Sequence, residues 1–292
     1  MHNYPSVLII GGGRVGQMLG YLWVSHQLVN VIAVCNSTLV SAQEACQFIG
    51  QGQAHCDLQT CPPADIILVT TPDDQLPSIM AWLSIWPKMQ EDTIVMHCSG
   101  CLSSMDFHLP DHTAYQLASV HPVMSVASPE TAIGEFYQIM CGYEGSSTAL
   151  SILLPLFEAI GGIPFELIPQ QKAAYHAGMV MASNYLVGLA NSSRSCLQQA
   201  GLSGEMASLL VGQIMQQTLM NIDSSKNLSE VLTGPIKRGD EKTILKHCDV
   251  LKKDLKPLYQ LLGRHLLPLT AHSSDVVSRL KSVLTDDVTK GL

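Results

Sequence analysis

SVLIIGGGRVG, residues 6–16, decides the fold. Val7 to Ile10 is a short run of β-favouring apolar residues that breaks directly into glycines. From Arg14 to His26, Val15, Met18, Leu19, Leu22 and Trp23 recur at helical spacing. Between the two, Gly11, Gly13 and Gly16 form G-x-G-x-x-G. The spacing alone is weak, because glycine is common. Set between a strand and a helix it becomes a dinucleotide-binding fingerprint. The first glycine permits the tight turn, the second lets the backbone approach a pyrophosphate, and the third packs helix on strand. The helix start at Arg14 and Val15 then offers free N–H groups to phosphate. Gly11, Gly13, Arg14, Val15 and Gly16 are thus candidate cofactor contacts.

Working outward, apolar runs alternate with helical patterns. Val29–Cys35, Asp65–Val69, Thr93–His97 and Tyr115–Val120 read as strands, and Ser41–Ile49 and Asp73–Trp86 as helices. Continuous apolar strands alternating with helices predict a parallel sheet covered on both faces. The expectation is an α/β protein with an N-terminal Rossmann domain, a doubly wound sheet, over residues 1–168. The segment GGIPFELIPQQ, 161–171, then changes the character. Beyond it almost no β pattern remains. Lys172–Ala200 is free of proline and predicts one long helix, Leu202–Ile222 a second, and Asp240 caps a third running to Leu262. Asp275–Leu284 predicts a last helix. Residues 169–292 are therefore expected to form an all-helical substrate and dimerisation domain.

Composition narrows the function. Of 292 residues 47% are hydrophobic and only 14% charged, against a usual charged share of about 25%. A chain so poor in charge is expected to hide surface in a large interface, here a homodimer through the helical domain. Lys plus Arg is 16 and Asp plus Glu 24, a net charge of −8, and no basic cluster occurs. Binding to nucleic acid or to anionic membranes, which rests on positive charge, is not expected. The start lacks a basic region ahead of its apolar run, so a cytoplasmic location with free thiols is expected. Of the nine cysteines, Cys98 and Cys101 form one CxxC pair; without a second pair no metal site is expected.

The ends of the strands locate the ligand. NAD sites carry Asp or Glu about 20 residues after the glycines, to hold the ribose 2′-OH. Here those positions are Asn36, Ser37 and Thr38. With no carboxylate to repel a 2′-phosphate, NADP is expected over NAD, with Arg14 able to swing toward the phosphate. Thr70, Thr71 and Pro72 end the next strand and Ser99 and Gly100 the one after, nearer the nicotinamide. His121, held extended by Pro122, can meet a substrate carbonyl or carboxylate.

With GGGRVG at 11–16, TTPDD at 70–74, HCSG at 97–100, HP at 121–122, K-x-x-Y-H at 172–176, SNYL at 183–186 and LTGPIKRGD at 232–240, the chain resembles the Rossmann-like DUF2520 family over nearly its whole length. That family is a branch of the 6-phosphogluconate dehydrogenase-like superfamily, with pyrroline-5-carboxylate reductase, ketopantoate reductase and the β-hydroxyacid dehydrogenases. The resemblance implies NAD(P) binding, a helical dimerisation domain and a reductase-like architecture. The β-hydroxyacid dehydrogenases use a Lys with an Asn four residues later; here the second position is His176.

Lys172, His176 and Ser183 fall within about 40° of one another on a helical wheel, with Asn184 at the edge of that face. Reduction of C=O or C=N needs a proton opposite the hydride, and a Lys with its pKa lowered by burial, or a neutral His, supplies one. Arg238 can hold a substrate carboxylate in bidentate fashion. These residues predict an NADP-dependent oxidoreductase of a small carbonyl, imine or hydroxy-acid substrate, acting in a cleft between the domains. The alternative is a non-catalytic dimer that senses NADP(H); a deazaflavin in place of nicotinamide is a minor variant.

Overall fold

The computed structural model describes residues 4–107, 115–252 and 254–285. The order is β1 (Ser6–Ile10), α1 (Arg14–Ser25), β2 (Asn30–Cys35), α2 (Leu39–Ile49), β3 (Gln53–His55), β4 (Ile66–Val69), α3 (Leu76–Leu83), β5 (Ile94–His97) and β6 (Gln116–Pro122). Then follow α4 (Pro129–Glu135), β7 (Met140–Gly145), α5 (Ser147–Ala159), β8 (Ile163–Glu166) and α6 (Lys172–Ala182). These elements form one compact unit that ends at Ser183.

Eight strands make one sheet in the order β3-β2-β1-β4-β5-β6-β7-β8. Every pairing is parallel except β6 with β7. The pleat of β1 explains why both faces are covered. Val7 and Ile9 pack with Met18, Leu19 and Trp23 of α1, while Leu8 and Ile10 pack with Leu76, Met80 and Leu83 of α3. From β1 the chain passes to β2 on one side, and β4 pairs with β1 on the other. Ligands bind where the strand order reverses in this way, outside the carboxyl ends of the strands.

Three strands escape a reading by pattern: the short β3, and β7 and β8. MCGYEG of β7 holds two glycines and a glutamate, and β8 follows a glycine pair and contains Pro164. The glycines of β7 are required by neighbours rather than by a turn. A Cβ on Gly142 would stand 2.7 Å from Leu167 Cδ1, and one on Gly145 2.5 Å from Ala118 Cα.

The second unit, from Asn184, holds α7 (Asn184–Gln199), α8 (Gly204–Ser224), α9 (Leu228–Val231), α10 (Gly234–Arg238), α11 (Glu241–Val250), α12 (Leu255–Leu266) and α13 (Ser274–Val283). Its core joins Ile236, Ile244, Cys248, Leu267, Leu280 and Leu284. It contains no strand among the described residues. Two expected helices are broken in two. The expected 172–200 helix stops at Ala182, where Ser183 leaves the helical path at ψ −72°. The helix expected from Asp240 to Leu262 ends at Val250, because Leu251 turns extended. Asp240 caps α11 as the sequence implies, accepting from the Thr243 N–H at 3.1 Å.

Candidate functional site

The turn after β1 is fixed from every side but one. Thr70 Oγ1 donates to Gly11 O at 2.6 Å, the Gly12 N–H donates to Asn36 Oδ1 at 2.6 Å, and Gln17 Nε2 donates to Gly12 O at 2.9 Å. Gly11 lies at φ +87°, which only glycine adopts without strain. The open side is Gly13, the N-cap of α1, with no side-chain cap and no acidic residue in the first turn. The first N–H groups of α1 are left for an anion. A Cβ on Gly16 would meet Thr70 Oγ1 at 2.6 Å, whereas one on Gly13 would meet nothing nearer than Gly11 O at 4.0 Å. So Gly16 serves packing, and Gly13 keeps a space clear that no part of the turn fills. Thr71 packs against Gly11, and its hydroxyl is buried with no hydrogen-bond partner among the described residues. A cavity of about 620 Å³ runs from this turn past Asn36, Ser37 and Ser41 to Thr70, Thr71 and Pro72. These features fit a dinucleotide: N–H groups for the pyrophosphate, a cleared backbone and an unpaired hydroxyl.

At the ribose end the structure adds what the motif did not reveal. Asn36 spends its oxygen on the glycine turn, and Thr38 caps α2 and bonds Ser41. Glu44, one helical turn beyond Ser41, also lines the cavity. The Arg14 guanidinium lies 3.5 Å from Val126 O and does not line the cavity. Among the described lining residues Glu44 carries the only formal charge.

The strands β5 and β6, on the far side of β4, end in a polar cluster whose residues do not line that cavity. Ser99 Oγ accepts from the N–H groups of Cys101 and Leu102, which shapes the turn around Gly100. Behind that turn lies Lys172, 1% exposed. Its ammonium donates to Ser119 Oγ at 2.5 Å and to Glu144 Oε1 at 3.3 Å, and Ser119 Oγ faces Ser99 O at 3.4 Å. Glu144 also accepts from Ser104 N–H at 2.9 Å and Ser104 Oγ at 2.5 Å. Burial lowers the Lys172 pKa and Glu144 opposes that shift. Lys172 is thus enclosed and paired, not open to the crevice as a proton donor to substrate would be. An enclosed, paired ammonium meets only protein atoms. His97, fully buried, is pushed down to about 3 by burial and by Lys172, and its Nε2 has no partner.

His121 and His176 close over Gly100. A Cβ there would stand 2.7 Å from His176 Cδ2 and 2.9 Å from His121 Nε2. The two rings meet edge-on at 6.1 Å. Burial, with His176 and Lys172 nearby, lowers His121 to about 4, so it is neutral at neutral pH. Its Nδ1 lies 2.9 Å from Tyr175 Oη. The expected shared face of α6 therefore brings Lys172 and His176 to one region. Ser183, exposed, falls on the break after α6, and Asn184 opens α7 in the other unit. Arg238 is exposed on α10. Sequence reading passed over Tyr175, though it lies inside K-x-x-Y-H. It read His97 and Ser119 only as polar strand ends and passed over Glu144; their meeting needs the strand register His97↔Ser119 and Ser119↔Glu144. A groove of about 550 Å³ beside Asn221, Lys226 and Glu230 holds none of the expected site residues.

Residues 3–122 match the Rossmann-like domain family, and residues 139–266 match a domain of unknown function, DUF2520. No curated protein matches the chain. Among solved structures, a proposed NADP oxidoreductase from Bacteroides fragilis is 19% identical with a TM-score of 0.74, over 91% of this chain and 99% of that one. A protein from Thermotoga maritima is 25% identical with a TM-score of 0.67, over 93% and 98%. The pyrroline carboxylate reductase of Plasmodium falciparum, solved with NADP bound, is 14% identical with a TM-score of 0.54, over 97% and 99%.

Proposed function

From a chain that joins a Rossmann-like domain to a DUF2520 domain, within the fold of the 6-phosphogluconate dehydrogenase-like superfamily, we propose an NADP-dependent oxidoreductase acting on a small carbonyl, imine or hydroxy-acid substrate. The observation that carries the proposal is the clear space at Gly13, at the uncapped start of α1, in a cavity that also takes in Thr70, Thr71 and Pro72. Gly11, Gly13 and the N–H groups of Arg14 and Val15 would hold the pyrophosphate, with Gly16 packing the helix on the turn, and Thr70, Thr71, Pro72, Ser99 and Gly100 would hold the nicotinamide half. The bound, reduced nicotinamide supplies a hydride to the substrate carbon. The protein's part is to bind the substrate oxygen or nitrogen and deliver one proton to it. His121 and His176, whose rings lie over Gly100, are the groups we assign to this. Lys172 acts from behind, through Ser119, on the turn that carries Gly100.

Preference for NADP rests on the missing carboxylate at 36–38 and on the exposed Ser37 hydroxyl. Glu44 works against it. Titration of NADPH and NADH by calorimetry decides, and tighter NADPH is expected. Tighter NADH overturns only the phosphate preference. Gly13→Ala should fold as the parent does and lose at least tenfold in affinity for either dinucleotide, since the new methyl occupies only ligand space. Equal affinity in that variant would remove the site. The enclosure of Lys172 favours one alternative, a non-catalytic NADP(H) sensor. Binding without NADPH oxidation across oxo and imino acids would select it.

A further inference from the structure

His121 is held between two contacts of different kind. On one side Nδ1 meets Tyr175 Oη at 2.9 Å, with the rings edge-on at 5.8 Å. On the other, Nε2 lies over the bare Cα of Gly100, makes no hydrogen bond to a described residue and is not among the sealed polar atoms. A neutral imidazole carries one N–H and one bare nitrogen, and which is which depends on its partners. A phenol is the better donor of this pair and an imidazole nitrogen the better acceptor. The Tyr175 hydroxyl bonds no other described group. We propose that Tyr175 donates to His121 Nδ1 and so holds the ring as its Nε2–H tautomer, which gives the crevice a fixed hydrogen-bond donor at Gly100. Tyr175 is then a positioning residue.

The consequence is selectivity, and it rests on the reductase reading above. A fixed donor accepts a carbonyl, carboxylate or hydroxyl oxygen. It offers no lone pair to a protonated imine nitrogen, which is itself a donor. The substrate class is thereby narrowed from carbonyl or imine to carbonyl, or to the corresponding alcohol in reverse. In the carbonyl direction the substrate carbon gains hydride and its oxygen gains one proton, ultimately from solvent. Neutral His121 polarises the oxygen and keeps its own proton, because its Nδ1 already holds the Tyr175 bond. His176, beside it, is the group positioned to pass the proton. Gly100 is required because any side chain would press on both rings.

The tautomer can be read directly by two-bond ¹H–¹⁵N correlation on the full chain labelled in its histidine rings. His121 is assigned by loss of its signals in His121→Gln. Wild-type protein at pH 7, without cofactor, should show a protonated Nε2 and a bare Nδ1. Tyr175→Phe should move His121 toward a mixture of tautomers while its other histidines stay unchanged. A protonated Nδ1 in the wild type overturns the proposal without any variant, and so does an unchanged tautomer in a folded Tyr175→Phe. Calorimetry with NADPH on the same samples keeps the two ideas apart. Lost dinucleotide binding counts against the reductase reading, whereas a wrong tautomer with intact binding counts against this inference alone.

Discussion

The glycines of the fingerprint look equivalent in sequence and are not. Gly16 is required by Thr70 Oγ1 and Gly11 O, both inside 3.0 Å of where its Cβ would be, whereas Gly13 is required by nothing in the chain. The space beside the second is the one the proposed dinucleotide would take. His97 shows a similar divide between residue type and role. Its Nδ1 accepts from the Ser99 N–H at 3.3 Å, and burial holds it neutral with a pKa of about 3 against an ordinary 6.5. As pH falls below 6.5 the unfolded chain takes up this proton before the folded one does. The stabilisation is therefore complete above 6.5 and drains as pH falls toward 3, on the order of a few kcal/mol over the whole window. His121, depressed to about 4, pulls the same way. Thermal unfolding between pH 7.5 and 4.5 should show the wild type losing stability steadily. His97→Asn, which keeps an acceptor for Ser99 but does not titrate, should lose distinctly less. Parallel curves for the two proteins would refute the buried neutral imidazole.

At the scale of elements, one ion pair ties three segments together. Lys172 opens α6, Glu144 lies on β7, and Ser104 on the segment after β5 donates twice to that carboxylate. Both charged side chains are almost fully enclosed, 1% and 2% exposed. Desolvation makes such a pair a poor source of net stability, yet removing one partner strands a buried charge and costs about 3–5 kcal/mol. Lys172→Met should thus be strongly destabilising in urea, and adding Glu144→Gln should recover part of the loss. A double variant as unstable as the sum of the singles would show that the charges do not interact. The helix α6 was legible from the absence of proline over 172–200, and its partner β7 was not. Gly142, Gly145 and Glu144 each argue against a strand locally, and each is there for a neighbour that is remote in sequence. The break at Ser183 was equally hidden, since no residue there is a helix breaker; it falls where the first unit ends and the helical unit begins.

At the scale of the whole molecule, the helical unit is under-buried for its length. Helix α7 has no buried residue and α8 only Ala207 and Val211. Tyr185, Val187, Leu209, Ile214 and Met220 are exposed. Isolated helices gain little without a packed face, and apolar patches of this kind mark an interface. We propose that a second copy of this chain covers them. Light scattering at micromolar concentration should give twice the 31.6 kDa chain mass, and Val187→Glu with Ile214→Glu should shift it to the single mass. A wild-type monomer would refute the dimer. No helix of the described chain is long and apolar enough to cross a membrane. The sequence by itself determined the α/β sheet, the glycine turn and the all-helical second half. Those signals are local: periodicity, glycine spacing and strand ends are written in consecutive residues. Only the tertiary structure decided that Lys172 is enclosed, that Arg14 bonds to Val126 while Glu44 stands by the ribose end, and that Tyr175 grips His121. Burial and hydrogen-bond partners depend on strands β6 and β7 meeting residues 28 to 54 positions away, a distance that no local pattern encodes.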